Sequence, residues 1–411
     1  LDLHQNRLRE LPPGLGSLAK LEELNVSKNM LTHLPREIGQ LANLRRLDLT
    51  HNQLTRLPME IVHLQLLFHH NNLSVTGNDR LQQPPINVVR EGIDALRRYW
   101  DAIERDGAIK SRSLRVVFIG DGLAGKTSLQ QGLRANQARP SHPDERTVQL
   151  DIVSMLIGKG DFEVELTMWD LAGQLEYAAS LQPYIVPGSL YLLAVPAHLA
   201  CDTNYEPLLG RWLDALQAGA PNAVVLAVLT QCDRLKGVKN LSVGSLQAAA
   251  AVESVWLRKK LDEHNDSRPE GAQRMHVYKT IPCVCALEGG DESLQHLRVT
   301  IEELVFTKPT LLPVVGQPIP KLWRLAHETL RALRDGRDPI RAAKALHAPD
   351  VKLDPFKSDL KAGLKYITQF AAEEQWLQVA KALRLPGTED DQRQGMGDAL
   401  KLVVNQGEMF R

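Results

Sequence analysis

Three asparagines near the start of the chain, Asn6, Asn29 and Asn52, recur at a fixed interval of 23 residues. Each sits among apolar positions at constant offsets: Leu1, Leu3 and Leu8 around Asn6; Leu24, Val26 and Leu31 around Asn29; Leu47, Leu49 and Leu54 around Asn52. Leu-Pro pairs follow in step at Leu11-Pro12, Leu34-Pro35 and Leu57-Pro58. A unit this short cannot bury its apolar face alone, so copies must stack and the region is constrained to a solenoid. The apolar alternation predicts one short strand per repeat with one face inward. The Asn side chain, with both donors and an acceptor, is suited to satisfy backbone groups where the chain turns.

The frame L-x-L-x-x-N-x-L is that of the leucine-rich repeat, and a stretched last copy carries Leu73, Val75 and Asn78. Its leucines and asparagines read as core. Function falls instead to the strand residues between them, Asp2, His4, Asn25, Ser27, Asp48 and Thr50, which should line a concave surface that binds protein. His4, His33, His51, His63, His69 and His70 occupy different repeat positions and read as solvated side chains. Pro84-Pro85 ends the array, giving repeats over 1–83. Val88, Val89, Ile93, Leu96 and Tyr99 then predict a helix that caps the solenoid within a linker over 84–112.

With 411 residues, the chain has room for two or three domains of about 150 residues. Lys+Arg and Asp+Glu both number 49, and this neutrality excludes a dedicated binder of bulk polyanions. Cys201, Cys232, Cys283 and Cys285 form no C-x-x-C pair, which argues against a disulfide scaffold or a zinc site. The apolar runs fall short of the roughly 18 residues of a membrane helix, and no signal peptide is visible. The expectation is a cytoplasmic protein with reduced thiols and no transmembrane segment. Leu1 falls inside a repeat, so the chain is expected to be a fragment.

Ser113–Ile119 reads as a buried strand running into Gly120-Asp121-Gly122-Leu123-Ala124-Gly125-Lys126-Thr127, followed by a helical stretch from Ser128. G-x-x-x-x-G-K-T between strand and helix is the phosphate-binding P-loop. Its glycines let several backbone N–H groups face one phosphate at a helix N-terminus. Lys126 supplies charge to the β- and γ-phosphates, and Thr127 supplies an oxygen to Mg²⁺.

Further elements follow in the order of a GTPase. A strand over Phe162–Trp169, with alternating pattern, ends in Asp170-Leu-Ala-Gly173-Gln174. In D-x-x-G the Asp holds Mg²⁺ and the Gly N–H senses the γ-phosphate, and Gln174 stands where such enzymes orient the attacking water. Apolar strands at Ser189–Val195 and Ala223–Leu229 come next, the second leading into Thr230-Gln231-Cys232-Asp233. The Asp233 carboxylate can accept hydrogen bonds from guanine N1–H and the exocyclic amine, a pair that adenine lacks. A last strand, Ile281–Leu287, carries Cys285-Ala286-Leu287 at the position of the loop that meets guanine O6. Thr147, between P-loop and Asp170, is the candidate for the Mg²⁺-ligating threonine that closes over the γ-phosphate. Leu246–Leu261 and Asp291–Leu304 read as flanking amphipathic helices. No arginine is assignable as the one that neutralises transition-state charge; Arg115, Arg134 and Arg146 are merely nearby in sequence.

Leucine-rich repeats followed by a Ras-like GTPase resemble the Roco family, whose GTPase module is called Roc. The resemblance extends to Trp169-Asp-Leu-Ala-Gly-Gln-Leu-Glu-Tyr177, to Gly188-Ser-Leu-Tyr-Leu-Leu193, and to Thr in place of Asn at position 230. Val314–Trp323 looks like the opening of the COR domain that follows Roc, and Asp398–Gly407 like an element near the end of its first half. The resemblance implies an α/β chain: a repeat solenoid, a Ras-like P-loop domain over 113–307, and a partial, α-rich COR domain over 308–411. It implies a slow GTP-hydrolysing switch with Mg²⁺, coupled to COR, with protein partners on the repeats and a homodimer through COR in the whole protein. No nucleic acid is implied as a partner. Two departures stand out. Gln231 replaces the usual Lys whose stem covers the base, predicting modest affinity, and Gln149 stands where Gly often follows the switch threonine. The alternatives are a nucleotide-binding signalling scaffold with negligible hydrolysis, and an ATP-dependent signalling ATPase.

Overall fold

The computed structural model describes residues 1–67, 72–78, 80–137, 150–158, 163–171, 185–186, 188–235, 243–268, 274–285 and 290–334, with isolated positions at 338, 340, 377, 379–381 and 393. The chain divides into two compact units, Leu1–Ser111 with Gln317–Arg411, and Arg112–Gly316.

In the first unit, strands β1 (Glu23–Asn25), β2 (Arg46–Asp48) and β3 (Leu73–Ser74) form a parallel sheet in that order. Glu23 pairs with Arg46 and Leu24 with Leu47, so the strand register equals the 23-residue sequence period. Leu47 then pairs with Leu73, and the stretched last repeat absorbs its extra three residues outside the sheet. On the opposite side each repeat returns through a 3₁₀ turn, Pro13–Ser17, Arg36–Gln40 and Met59–His63. Pro12, Pro35 and Pro58 cap these turns with φ between −67° and −69°, the torsion that the proline ring imposes.

The asparagines do what the repeat demanded. Asn52 donates to the carbonyls of Val26 and Leu49 at 3.0 and 3.1 Å and accepts the N–H of Leu31 at 3.0 Å. Asn29 and Asn78 make the same bonds one repeat earlier and later. The residue before each, at Gln5, Lys28 and His51, has φ between 52° and 55°. The fourth copy of that position is Gly77, where a Cβ would lie 2.7 Å from the His51 ring. We expect Asn52→Ala to lower stability by about 2–4 kcal/mol, because it orphans several buried backbone groups at once. Asn6→Ala, at the exposed end, should cost about 0.5 kcal/mol or less. Equal shifts of the two denaturant midpoints would refute the ladder as a source of stability.

Two expectations for this unit change. The candidate concave residues are tied to one another: Asn25 Oδ1 accepts the Ser27 N–H and hydroxyl, and Asp48 Oδ1 those of Thr50. Ser27 is buried, so it is not a solvent-facing contact residue. The capping helix is two helices, Ile86–Arg90 and Ile93–Asp106, parted at Gly92, whose φ of 92° no helix accommodates. Val88, Val89, Leu96 and Tyr99 are nonetheless all buried against the last repeats, as one face. Strand β4 (Ala108–Lys110) pairs antiparallel with β11 (Pro318–Pro320), which leads into the helix Lys321–Arg334. Tyr99 donates to the Pro318 carbonyl at 2.9 Å and meets Trp323 edge to face. The chain therefore leaves and re-enters this unit through paired strands.

The second unit is a six-stranded sheet. Its strands are β5 (Ser113–Ile119), β6 (Leu150–Ile157), β7 (Val164–Leu171), β8 (Leu190–Pro196), β9 (Val224–Thr230) and β10 (His276–Val277), in the order β10-β9-β8-β5-β7-β6. All are parallel except β6, which runs antiparallel to β7 at the edge. Residues of β5, β8 and β9 alternate between two cores. Val117, Tyr191, Leu193 and Val225 face one, and Val116, Phe118, Leu192 and Leu226 the other. A sheet buried on both faces needs helices on both, supplied by Arg211–Gly219 and Val243–Asp266 on the first face and Lys126–Ala135 and Gly290–Thr307 on the second. Strand β7 is buried on both faces, not alternating as expected, and Phe162 lies outside the described residues. The strand expected over Ile281–Leu287 is reduced to a single bridge between Leu229 and Cys283. Among the described residues no helix is long and apolar enough to cross a membrane.

Candidate nucleotide site

The carboxyl ends of β5, β7 and β9 bring three loops together. Where β5 ends, Gly120 turns with φ of 133°, and a Cβ there would lie 2.5 Å from the Ala194 carbonyl on β8. Only glycine lets the loop hug its neighbour strand at that point. Gly122 donates to the Asp121 carboxylate at 2.8 Å, and Leu123 stands 63% exposed with φ of 63°. Gly125, with φ of 88°, hands the chain to the helix Lys126–Ala135, which contains Thr127 and Ser128. The open backbone N–H groups of this helix start and the loop before it form a concavity suited to an anion.

Lys126 folds back along the loop, its ammonium donating to the carbonyls of Gly120 and Asp121, each at 2.9 Å. It is only 6% exposed. Burial pushes its pKa down to about 8, against the opposing pull of Asp170 and Asp121. Thr127 donates its hydroxyl to Asp170 at 2.5 Å. Asp170 is fully buried near the end of β7, paired with Phe118 of β5. A hydroxyl and a carboxylate meeting at the helix start are hard oxygen donors of the kind that hold Mg²⁺.

The loop after β9 braces the phosphate loop. Thr230 donates its hydroxyl to the Ala124 carbonyl at 2.6 Å, and Gln231 its amide to the Leu123 carbonyl at 2.5 Å. The Gln231 side chain, expected from sequence to be a poor cover for the base, is thus a strut between two loops. Asp233 follows in the 3₁₀ turn Cys232–Arg234, and its buried Oδ1 has no hydrogen-bond partner within the protein. Cys285 lies on the neighbouring segment, its N–H bonded to the Ser293 hydroxyl at 3.1 Å. Of the sequence candidates, Gly120, Asp121, Gly122, Leu123, Ala124, Gly125, Lys126, Thr127, Ser128, Asp170, Thr230, Gln231, Asp233 and Cys285 are described. Thr147, Gly173, Gln174 and Ala286 lie outside the described residues.

One charged group at the loop escaped the sequence reading. Arg211, at the start of its helix, approaches the Asp121 carboxylate at 2.7 Å, an ion pair by proximity in which Nη2 is not aligned as a hydrogen-bond donor. It offsets a negative charge that would otherwise oppose a phosphate, and its field lowers the Lys126 pKa further. A π-helical turn, Glu206–Gly210, precedes it and resets which residues of the helix face the sheet. Nothing in the local sequence marks that turn. Of the arginines near in sequence, Arg115 is buried with its guanidinium 4.7 Å from the Trp169 ring, and Arg146 lies outside the described residues.

Comparison with known proteins agrees with this layout. Residues 115–233 match the family described as Ras of Complex, Roc, domain of DAPkinase, and residues 1–54 match the leucine rich repeat family. The Arabidopsis thaliana Ras-related protein RABA5c is 30% identical over 148 residues, covering 34% of this chain and 64% of that protein. Mouse leucine-rich repeat serine/threonine-protein kinase 1 is 30% identical over 156 residues, covering 37% of this chain and 8% of the kinase. The chain thus spans less than two thirds of either relative. A solved structure of Methanosarcina barkeri Roco2 RocCORdC bound to GDP aligns over 74% of this chain and 69% of its own, with 16% identity and a TM-score of 0.43. Repeats running into a Ras-like Roc domain place the chain in the Roco family.

Proposed function

We propose that this chain binds GTP and GDP and hydrolyses GTP slowly, as a molecular switch. The observation that carries the reading is the convergence of the phosphate loop, the Thr127–Asp170 pair and the Thr230–Asp233 loop on the carboxyl ends of β5, β7 and β9. That is where open α/β sheets bind their ligands. Lys126 and the loop amides hold the β- and γ-phosphates, and Asp233 reads guanine with Cys285 and Ala286 beside O6. Thr127 and Asp170, with Thr147 when the switch segment closes, fit Mg²⁺, which supplies charge neutralisation on the phosphate oxygens when bound. Gln174 orients the attacking water, and the Gly173 N–H responds to the γ-phosphate.

The switch acts on what surrounds it. In this proposal residues 1–83 are repeats that recruit protein partners, 84–112 cap them, 113–307 form Roc, and 308–411 begin a COR domain. COR takes up the conformational signal and contributes to a homodimer in the whole protein, in a cytoplasmic setting.

Titration calorimetry with GTP, GDP and ATP tests the binding half, with guanine nucleotides expected to bind and ATP not; tight ATP binding without GTP binding would overturn it. Single-turnover hydrolysis tests the rest. Without an activator the native rate is expected on the order of 10⁻⁴ to 10⁻² per second. Gln174→Leu should lower it by about tenfold or more. Equal rates near background would instead identify a nucleotide-binding scaffold.

A further inference from the structure

Three of the four cysteines meet beside the guanine-reading loop. Cys232 occupies the turn between Gln231 and Asp233 and is only 1% exposed. Its N–H reaches toward the Val284 carbonyl at 3.5 Å, which sets its backbone against the Cys283–Cys285 segment. Cys283 is the residue bridged to Leu229 at the end of β9. All three side chains pack into the same apolar cluster, with Cys283 and Cys285 partly open to solvent and Cys232 sealed beneath them. The Cys232 thiol is in side-chain hydrogen-bonding contact with both neighbours, Cys283 foremost. These are free thiols on two segments 51 positions apart in sequence, so their meeting is made by the tertiary fold.

We propose that Cys232 and Cys283 form a reversible disulfide under peroxide, and that closing it loosens guanine-nucleotide binding. The contact gives the two thiols different roles. The Cys232 S–H donates to Cys283 and holds the Cys283 thiol below the usual cysteine range, while Cys232 itself is held above it. Cys283 is therefore the better nucleophile, and it is the more accessible of the two. Its thiolate attacks hydrogen peroxide, breaking the O–O bond to give a sulfenic acid and a hydroxide that takes up a proton to become water. The Cys232 sulfur then displaces the sulfenic hydroxyl, the S–S bond forms, and the thiol proton leaves with that hydroxyl as a second water. Two thiols and one peroxide yield one disulfide and two waters.

The consequence for the site follows from bond lengths and rests on the guanine-nucleotide reading above. Sulfurs in contact must close to about 2.05 Å, drawing Cys232 toward the Ile281–Cys285 segment. Its neighbours in the chain are the strut Gln231 and the base reader Asp233, so the closure shifts both. A hydrogen bond to a charged acceptor loses most of its value when misaligned, and an affinity loss of about tenfold is expected.

The test uses the full chain treated with hydrogen peroxide and then with dithiothreitol. The proposal expects a 232–283 cross-linked peptide under non-reducing mass spectrometry and a matching fall in fluorescent GDP affinity, both reversed by the reductant. Cys283→Ser should keep the untreated affinity and lose the response, whereas Cys201→Ser, at an exposed and distant thiol, should respond like the native protein. Oxidation confined to Cys201, a cross-link between other cysteines, or a 232–283 disulfide with unchanged affinity would each overturn it. A 232–283 disulfide in a protein that never bound guanine nucleotide would refute the switch reading and the regulatory step together, leaving only the thiol chemistry standing.

Discussion

Lys126→Ala is expected to reduce guanine-nucleotide affinity by a factor on the order of a hundred to a thousand while the repeat unit stays folded. The size follows from what the ammonium does in two directions. It holds the Gly120 and Asp121 carbonyls at 2.9 Å, pinning the loop in the shape that exposes its N–H groups. It also carries positive charge into a buried place, at a cost visible in the fall of its pKa to about 8. A desolvated cation of that kind recovers its lost hydration by pairing with an anion, so its attraction for a phosphate exceeds that of a surface lysine. Alanine removes the charge and leaves two carbonyls of the loop without their donor. Fluorescent GDP titration reads the loss. A separate thermal transition of the repeats, unchanged in position, reads the integrity of the other unit. Affinity within about threefold of native would mean that the loop does not hold phosphate.

How far the sequence discloses this architecture depends on whether a feature is local. The repeat register was legible because sequence period and strand pairing are one number, as the pairing of Leu24 with Leu47 makes plain. The phosphate loop was legible because its eight residues are contiguous and each has a stereochemical reason to be there. The left-handed residue before each asparagine was not, since Gln5, Lys28 and His51 share no side-chain type, and only Gly77 carries the usual mark of a positive φ. The strand expected over Ile281–Leu287 failed on backbone chemistry. Pro282 accepts from Leu229 but has no N–H to return, so the ladder along β9 breaks after His276–Val277 and resumes as one bridge. Arg211 and the three meeting thiols were out of reach for a common reason. Their partners lie dozens of residues away, and neither a period nor a motif connects Asp121 to Arg211 or Cys232 to Cys283.

Asp233→Asn is expected to lower GTP affinity by about thirtyfold to a thousandfold and to raise affinity for xanthosine triphosphate to within about tenfold of the native value for GTP. Asp233 Oδ1 is buried and has no hydrogen-bond partner within the protein, a costly state that a bound base relieves. A carboxylate only accepts, and guanine offers it two donors, N1–H and the exocyclic amine. Asparagine keeps one accepting oxygen and turns its N–H₂ toward the amine, so one hydrogen bond is lost and two donors confront each other. Xanthine carries a carbonyl where guanine carries the amine, and the asparagine donor then finds an acceptor. The exchange also isolates base reading from loop bracing, because Thr230 and Gln231 keep their bonds to Ala124 and Leu123 in the variant. A uniform loss for both nucleotides would therefore point to a damaged loop, and unchanged GTP affinity would mean that Asp233 does not touch the base. Only the reciprocal change, GTP down and xanthosine triphosphate up, is what a carboxylate reading guanine produces.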